Sequence, residues 1–402
     1  MSRREAVIVS TARTGIGRAY RGAFNDTEAP VLSGHVVRAA VARAGIDPAR
    51  VEDIFLGAGT QSGTQSYNIG RLTAATAGLA DAPGFALDRK CGSGLTAIAL
   101  AARSIIADDI DVAVAGGVES ISLTLNAHAM TFRNRSEAVL AAEPHAYMAM
   151  IETAEIVAER YGIDRAAQDC FAAESHRRAA AAQREGRFAD EIVPIAVDKA
   201  VLDKAGERIG TERVTLDRDE GVRPDTSVDG LAALKPVFKG GELVAEGRCI
   251  TAGNASQLSD GASAQLLVER AIAEREGLPI LGIYRGFQVA GCRPEEMGIG
   301  PVFAMPKLLA RAGLRVDDID LWEINEAFAS QALYCRDHLG IDPAKLNVNG
   351  GGIALGHPFG MTGSRIAGHA LLEGRRRGAR WVVASMCIAG GMGAAGLFEL
   401  PG

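Results

Sequence analysis

Two distant stretches of this 402-residue chain read nearly alike. Ala42-Arg-Ala-Gly-Ile-Asp-Pro-Ala-Arg-Val-Glu-Asp-Ile-Phe-Leu recurs as Ala310-Arg-Ala-Gly-Leu-Arg-Val-Asp-Asp-Ile-Asp-Leu. Each copy closes a helical pattern on a Gly, passes through a polar turn and enters a strand-like apolar run. Each is followed further on by a Gly-flanked reactive residue, Cys91 in the first copy and His357 in the second. A helix and another strand come next: DVAVAGG (111–117) in one copy, RWVVASMC (380–387) in the other. Chance likeness of two helix–strand units is the alternative. The shared order predicts instead a duplicated α/β domain whose two-fold relation brings the ends of matching strands together. Cys91, His357 and Cys387 are then expected around one cleft.

The rest of the chain fits this frame. Short apolar runs alternate with helical periodicity, the pattern of an α/β protein. Residues 5–10 read as a strand, 31–45 as a helix ending at Gly45, 51–57 as a strand and 68–79 as a helix. A strand near 84–89 leads into a helix over 91–107. The run Thr11-Ala-Arg-Thr-Gly-Ile-Gly reads as a loop after the first strand. It lacks the third glycine of a dinucleotide fingerprint, and no Walker sequence occurs, which disfavours a nucleotide-hydrolysing enzyme. Residues 121–250 differ in composition, with a helical stretch over 151–186 and a charged, turn-rich stretch over 198–225. They read as an insertion lying over the surface. The expected organisation is a first domain at 1–120 completed by about 251–275, an inserted loop domain at 121–250 and a second domain at 276–402.

The net charge of −6 argues against nucleic acid as a partner, so an anionic ligand must be held by a few local Arg or Lys residues. Six cysteines at 91, 170, 249, 292, 335 and 387 form no CxxC pair, which indicates neither a zinc site nor a disulfide framework. No stretch reaches membrane-spanning length, and neither end carries a targeting pattern. The expected location is the reducing cytoplasm.

Cys91 sits where a strand ends and a helix begins. Backbone N–H groups and the helix dipole there are expected to lower the thiol pKa, and Gly92 and Gly94 leave the approach to sulfur open. A buried structural Cys is the other reading. His357 lies within Asn349-Gly-Gly-Gly-Ile-Ala-Leu-Gly-His-Pro-Phe-Gly-Met-Thr-Gly, where so many glycines imply tight backbone geometry around an open cavity. An imidazole there can take the proton of a cysteine thiol; a structural turn is the bland reading. Cys387 ends an apolar strand and enters Ile-Ala-Gly-Gly-Met-Gly. It is a candidate general base if its pKa lies near neutrality, and otherwise an ordinary buried cysteine. Asn325, after the strand LWEI, can orient a water or donate to an oxyanion, or can cap a helix.

Taken in this order, the stretches Thr11-Ala-Arg-Thr, Cys91-Gly-Ser-Gly-Leu, Gly116-Gly-Val-Glu-Ser-Ile-Ser, Thr251-Ala-Gly-Asn-Ala-Ser, Asn325-Glu-Ala-Phe-Ala, Gly356-His-Pro and Cys387 with its Gly loop resemble the thiolase family across essentially the whole chain. The resemblance implies a layered αβαβα sandwich, each half a five-stranded mixed sheet with helices, assembled as a homodimer or homotetramer. It implies acetyl-CoA C-acyltransfer with coenzyme A thioesters as substrates and no separate cofactor or metal. Cys91 would attack the substrate with His357 as its base, and Cys387 would move the α-proton of acetyl-CoA. Asn325 would hold a water that joins His357 in one oxyanion site; the backbone N–H groups of Cys91 and Ala389 would form the other. Ser256, Arg223, Met150, Met297 and Phe328 look CoA-facing by the same resemblance.

The chain departs from the family pattern at three places. Ala389 replaces the usual Gly, which costs about 1 kcal/mol if that position needs positive φ. Ala149 stands where short-chain biosynthetic members carry His, and Ser256-Gln-Leu-Ser-Asp-Gly reads like degradative members. Both favour a degradative 3-ketoacyl-CoA thiolase over an acetoacetyl-CoA enzyme. Asp88 stands where Asn is common. A ketoacyl-carrier-protein synthase is disfavoured by Cys387, a non-catalytic acyl-CoA carrier by the full catalytic set, and a thiol redox protein by the separate Gly loops around the two thiols.

Overall fold

The computed structural model describes residues 4–129, 132 and 134–402. Its strands are β1 (Ala6–Arg13), β2 (Gly17–Arg18), β3 (Asp53–Gly57), β4 (Phe85–Leu87), β5 (Val112–Ser120), β6 (Ile195–Leu202), β7 (Arg208–Leu216), β8 (Ser259–Glu269), β9 (Gly282–Gly291), β10 (Leu321–Ile324), β11 (Trp381–Ile388) and β12 (Met392–Glu399).

The echo in the sequence is an echo in topology. In the first half the order is β4-β3-β5-β8-β1, parallel between the first three and antiparallel after β5. In the second it is β10-β11-β12-β9, again parallel once and then antiparallel. The expected fifth strand of the second half is absent as a strand. Its place is taken by a single parallel bridge between Trp322 and Leu346. The polar segment around it, Asp342–Lys345, folds into turns instead of a ladder.

The two half-sheets are joined by β1 and β9, which pair only at Val7–Ile283 and Ile8–Gly282. Helices Ser93–Ile106 and Phe359–Arg377 pack on each other and on strands of both halves, forming a central layer. Helices Ala29–Ala44 and Ile69–Ala77 cover the outer face of the first half, and Gly300–Ala312 that of the second. This is the layered α/β sandwich. Strands covered on both sides are largely apolar, and β1, β5 and β8 are buried at every position, the polar residues towards their ends included. The repeated helices Ala29–Ala44 and Gly300–Ala312 end alike, on left-handed Gly45 and Gly313.

Small residues set the spacing of the central layer. A Cβ on Gly94 would lie 2.6 Å from the Gly360 carbonyl oxygen, and one on Gly363 would lie 2.4 Å from the Leu95 nitrogen. One on Gly117 would lie 1.9 Å from that same Gly360 oxygen.

Three boundaries differ from the sequence reading. Thr11–Arg13 belong to β1, because their backbone is paired with β8. The helical stretch over 151–186 is two helices, Met150–Arg160 and Arg165–Arg184, separated at left-handed Gly162, with Asp164 capping the second. The charged stretch over 198–225 contributes to the two-stranded ribbon β6–β7, which begins at Ile195 and closes on a turn held by the Asp203 carboxylate accepting from Ala205 and Glu207 N–H.

The inserted segment is also not confined to the surface. Glu191 and Asp219 both reach the buried guanidinium of Arg13, at 2.8 and 2.7 Å, and Ser175 Oγ donates to buried Glu326 at 2.6 Å. No helix among the described residues is long and apolar enough to cross a membrane.

Candidate active site

Cys91 lies in a 3₁₀ turn, Lys90–Gly92, and the helix proper starts at Ser93. Two side chains hold that turn. Ser93 Oγ accepts from Arg89 N–H at 2.8 Å and donates to the Lys90 carbonyl at 2.7 Å. Asp88 accepts from the Lys90 backbone N–H at 2.6 Å and from its ammonium at 2.7 Å. Lys90 has φ +46°, a left-handed conformation that is unfavourable for a side-chain-bearing residue. Asp88, unexplained from sequence, is the clamp that holds Lys90 there. Gly92 lets the turn lie against β11, since a Cβ would meet Ile388 Cδ1 at 2.5 Å. Ile388 follows Cys387 in β11, and the Cys91 thiol, from the other half of the fold, lies near enough to bear on the Cys387 thiol.

Cys91 is half-buried, Cys387 almost completely so. Burial pushes the Cys91 thiol up to about 11, with Glu119 adding to the rise; the N–H groups of Ala389 and of Cys91 itself, and Lys90, oppose it. The expected lowering by the helix dipole is therefore overturned, because desolvation outweighs the donors. Burial also raises Cys387 well above the ordinary thiol value, and the neighbouring thiols of Cys91, Cys335 and Cys292 add to it. Burial therefore favours the protonated thiol of Cys387 over a thiolate base. Ala389 is not strained either. The left-handed residues of its loop are Gly390 and Gly391, at φ +84° and +85°.

His357 is buried within the glycine-rich loop, and its ring state follows from its partners. Thr362 Oγ1 donates to the Pro358 carbonyl at 2.8 Å, so it meets His357 Nδ1, 2.6 Å away, as an acceptor. Nδ1 therefore carries the hydrogen and Nε2 the lone pair. Asn325 Nδ2 approaches Nε2 at 3.3 Å. Burial, with Arg365 assisting, lowers the imidazolium pKa to about 3, leaving a neutral base. Asn325 caps no helix: the helix Ala329–Leu339 begins beyond it, with Phe328 at its N-cap. Asn325 Oδ1 is buried without a partner among the described residues.

The remaining expected residues surround this group. Met150, Met297 and Phe328 form one apolar cluster with Cys387 and Ile250. Ser256 donates its N–H to the Ala327 carbonyl at 2.9 Å, beside the Ala255–Phe328 bridge. Gln257 accepts from His357 N–H at 3.1 Å and donates to Gly221 O at 3.1 Å, tying the Arg223 loop to the histidine. Arg223 itself donates its backbone N–H to His176 Nδ1 at 3.2 Å.

Sequence reasoning gave no role to Thr362, Glu119 or Glu326. Glu119 accepts from Gly59 and Gly360 N–H, both at 2.8 Å, and from Gln65 at 2.7 Å, bolting the nucleophile side to the histidine side. Glu326 accepts from Ser175, Asn347 and Ile353 N–H and fixes the glycine loop. A carboxylate inside the otherwise apolar stretch VAVAGGVES was the available signal for Glu119. Among the described residues there is no cluster of His, Cys, Asp or Glu fit for a metal ion.

Two family models match the chain: the thiolase N-terminal domain over residues 6–271 and the thiolase C-terminal domain over 278–400. A 3-ketoacyl-CoA thiolase of Bacillus subtilis (strain 168) is 44% identical over 398 residues, covering 99% of this chain and 100% of that protein. The peroxisomal 3-ketoacyl-CoA thiolase A of Rattus norvegicus is 46% identical over 402 residues, covering 99% and 89%. The solved dimeric peroxisomal thiolase of Saccharomyces cerevisiae superposes with a TM-score of 0.86 at 38% identity, covering 100% of this chain and 98% of that one. With both halves matched and two thiols, an imidazole and a carboxamide converging between them, the chain belongs to the thiolase family of acyltransferases.

Proposed function

We propose that this chain cleaves 3-ketoacyl-CoA with coenzyme A in fatty acid degradation, giving acetyl-CoA and a shortened acyl-CoA through an acyl thioester on Cys91. What supports it is the nearness of the Cys91 and Cys387 thiols, together with a neutral imidazole at His357 held by Asn325 and Thr362. The relatives named above as 3-ketoacyl-CoA thiolases support the substrate class.

The Cys91 thiol gives its proton to His357 Nε2 as sulfur attacks the C3 ketone, and the oxyanion is met by the N–H groups of Cys91 and Ala389. The C2–C3 bond breaks, its electron pair passing to the acetyl-CoA enolate. Imidazolium and a water held by Asn325 stabilise the enolate oxygen. The Cys387 thiol then protonates C2, and acetyl-CoA leaves. A thiol that rests protonated is the form this step needs. In the second half, Cys387 thiolate takes the proton of incoming CoA, whose sulfur attacks the acyl-Cys91 thioester. Cys91 leaves and recovers its proton from His357. CoA lies along Ser256, Arg223, Met150, Met297 and Phe328, and no further cofactor is required.

The chain works as a homo-oligomer in the cytoplasm. Supporting this are the one-sided pairing of the short strand β4, the dimeric yeast relative and six free cysteines. The test is thiolysis across a series of 3-ketoacyl-CoA chain lengths, acetoacetyl-CoA included. It is run beside Cys91→Ser with mass detection of the acyl-enzyme. Loss of the intermediate and of turnover is expected, and retained thiolysis in the variant overturns the assignment.

A further inference from the structure

The central helix Phe359–Arg377 is buried along most of its length, yet it carries a polar stripe: Thr362, Arg365, His369 and Glu373. At spacings of three and four residues these share one face. The helix packs on β10, where Glu323 and Asn325 alternate onto one side of the strand. Asn325 meets His357, which is bonded to Thr362; one step along, Glu323 and Arg365 occupy the corresponding positions. Beyond them, His369 lies between Glu191, at 3.1 Å, and Asn349, at 3.2 Å.

Arg365 is the odd member of this stripe. It is 2% exposed, and Nε, Nη1 and Nη2 are all buried without a hydrogen-bond partner among the described residues. Glu323 is 1% exposed, with Oε1 likewise unpartnered. A guanidinium kept as a strut is bonded on several sides, as Arg13 is to Glu191 and Asp219. An unbonded buried cation is costly, and what it supplies here is its field, one helical turn from the acceptor of the catalytic imidazole.

We propose that Arg365 is a positioning residue for His357, its fixed charge keeping the imidazole neutral before acylation and driving the proton back to the leaving thiolate afterwards, with Glu323 as its counter-charge. The inference rests on the thiolase reading. The charges facing this region are Glu323 from β10, Glu326 from the following loop, Arg13 from β1, Glu191 and Asp219 from the inserted segment, and His369 on the helix itself. Glu119 lies at the helix start and Cys91 with Lys90 across the cleft. Of these, Arg365 is the one whose charge lowers the basicity of His357 beyond what burial does. Glu323, raised by burial to about 7, offsets it only in part near neutrality.

The test is the pH dependence of Cys91 acylation by 3-ketoacyl-CoA, read as burst amplitude and rate, in wild type, Arg365→Lys, Arg365→Met, Glu323→Gln and the double variant Arg365→Met/Glu323→Gln. Wild type, Arg365→Lys and Glu323→Gln should keep their rate towards acid. Since burial lowers His357 and Arg365 adds to it, Arg365→Met should bring an acid limb to higher pH than in wild type, the rate falling about tenfold per pH unit along it. If Arg365→Met does not fold, the double variant, which removes both buried charges, should show the same limb displaced less. A folded Arg365→Met or double variant with the wild-type profile, even at a uniformly lower rate, overturns the inference. Failure of wild type to acylate at all overturns the thiolase reading instead.

Discussion

Replacing Thr362 by Val removes the acceptor of His357 Nδ1–H found among the described residues while leaving the shape of the side chain nearly unchanged. The contact is 2.6 Å long and fully buried, so no solvent takes over the bond. A buried donor left unsatisfied costs roughly 1–3 kcal/mol. Moving the hydrogen to Nε2, with the Asn325 amide turned so that its unpartnered Oδ1 accepts, recovers a bond of that order, and in that tautomer Nε2 has no lone pair with which to take the Cys91 proton. The competent tautomer is depleted by that difference, about 5- to 150-fold. Acylation of Cys91 should slow by this factor with little change in substrate KM, whereas Thr362→Ser, which keeps the hydroxyl, should stay close to wild type. Rapid-quench measurement of acyl-enzyme formation reads both. Acylation in Thr362→Val within twofold of wild type, with the fold intact, would show that Thr362 does not set the ring.

Two further outcomes follow from the buried charges. With Cys91 pushed to about 11 and His357 to about 3, the resting pair is neutral; on the order of 10⁻⁴ of Cys91 is thiolate at neutral pH. Iodoacetamide alkylation of Cys91 should therefore rise steadily with pH beyond 9, and a plateau near neutrality would reveal a thiolate–imidazolium pair. Glu191 is fully buried, and burial alone would raise it, but Arg13 and His369 hold it down at about 2 against an ordinary 4.5. A depressed carboxylate stabilises the fold above its unfolded pKa and loses that contribution as pH falls through the folded value, here roughly 3 kcal/mol lost between about 4.5 and 2. Glu191→Gln should be less stable than wild type near neutrality, and the gap in denaturant midpoint should narrow across that acid window; a gap independent of pH refutes the linkage.

The sequence revealed most where a pattern is local. The Ala-Arg-Ala-Gly punctuation marks the C-cap of a helix, and the apolar run after it is a strand, so both halves were legible down to a few residues. Cys91, His357, Cys387 and Asn325 stood out because glycines surround them or end their strands. What stayed hidden depends on partners distant in sequence. Arg13 is a polar residue at the end of an apolar run, and only Glu191 and Asp219, both in the inserted segment, make its burial tolerable. The sign of the Cys91 shift was misread for the same reason. Helix position is visible in a sequence, while the depth of burial around a sulfur is set by Ile388 and the neighbouring layers. The missing fifth strand of the second half has a similar origin, since the turn over 342–345 leaves only the Lys345 carbonyl and the Asn347 N–H to pair with Trp322.

The narrow seam between β1 and β9 has a mechanical consequence. Two residue pairs are too few to fix how far the halves stand apart, so the gap across which the sulfurs act is gauged by the glycines pressed together in the middle layer. Gly94, Gly117, Gly360 and Gly363 work as spacers of minimum thickness, and a methyl group inserted at any of them would act as a shim, widening the gap while leaving every reactive atom in place. Adaptation to a bulkier or slimmer substrate in a molecule built this way has to come from the outer loops, because the middle has no slack to give.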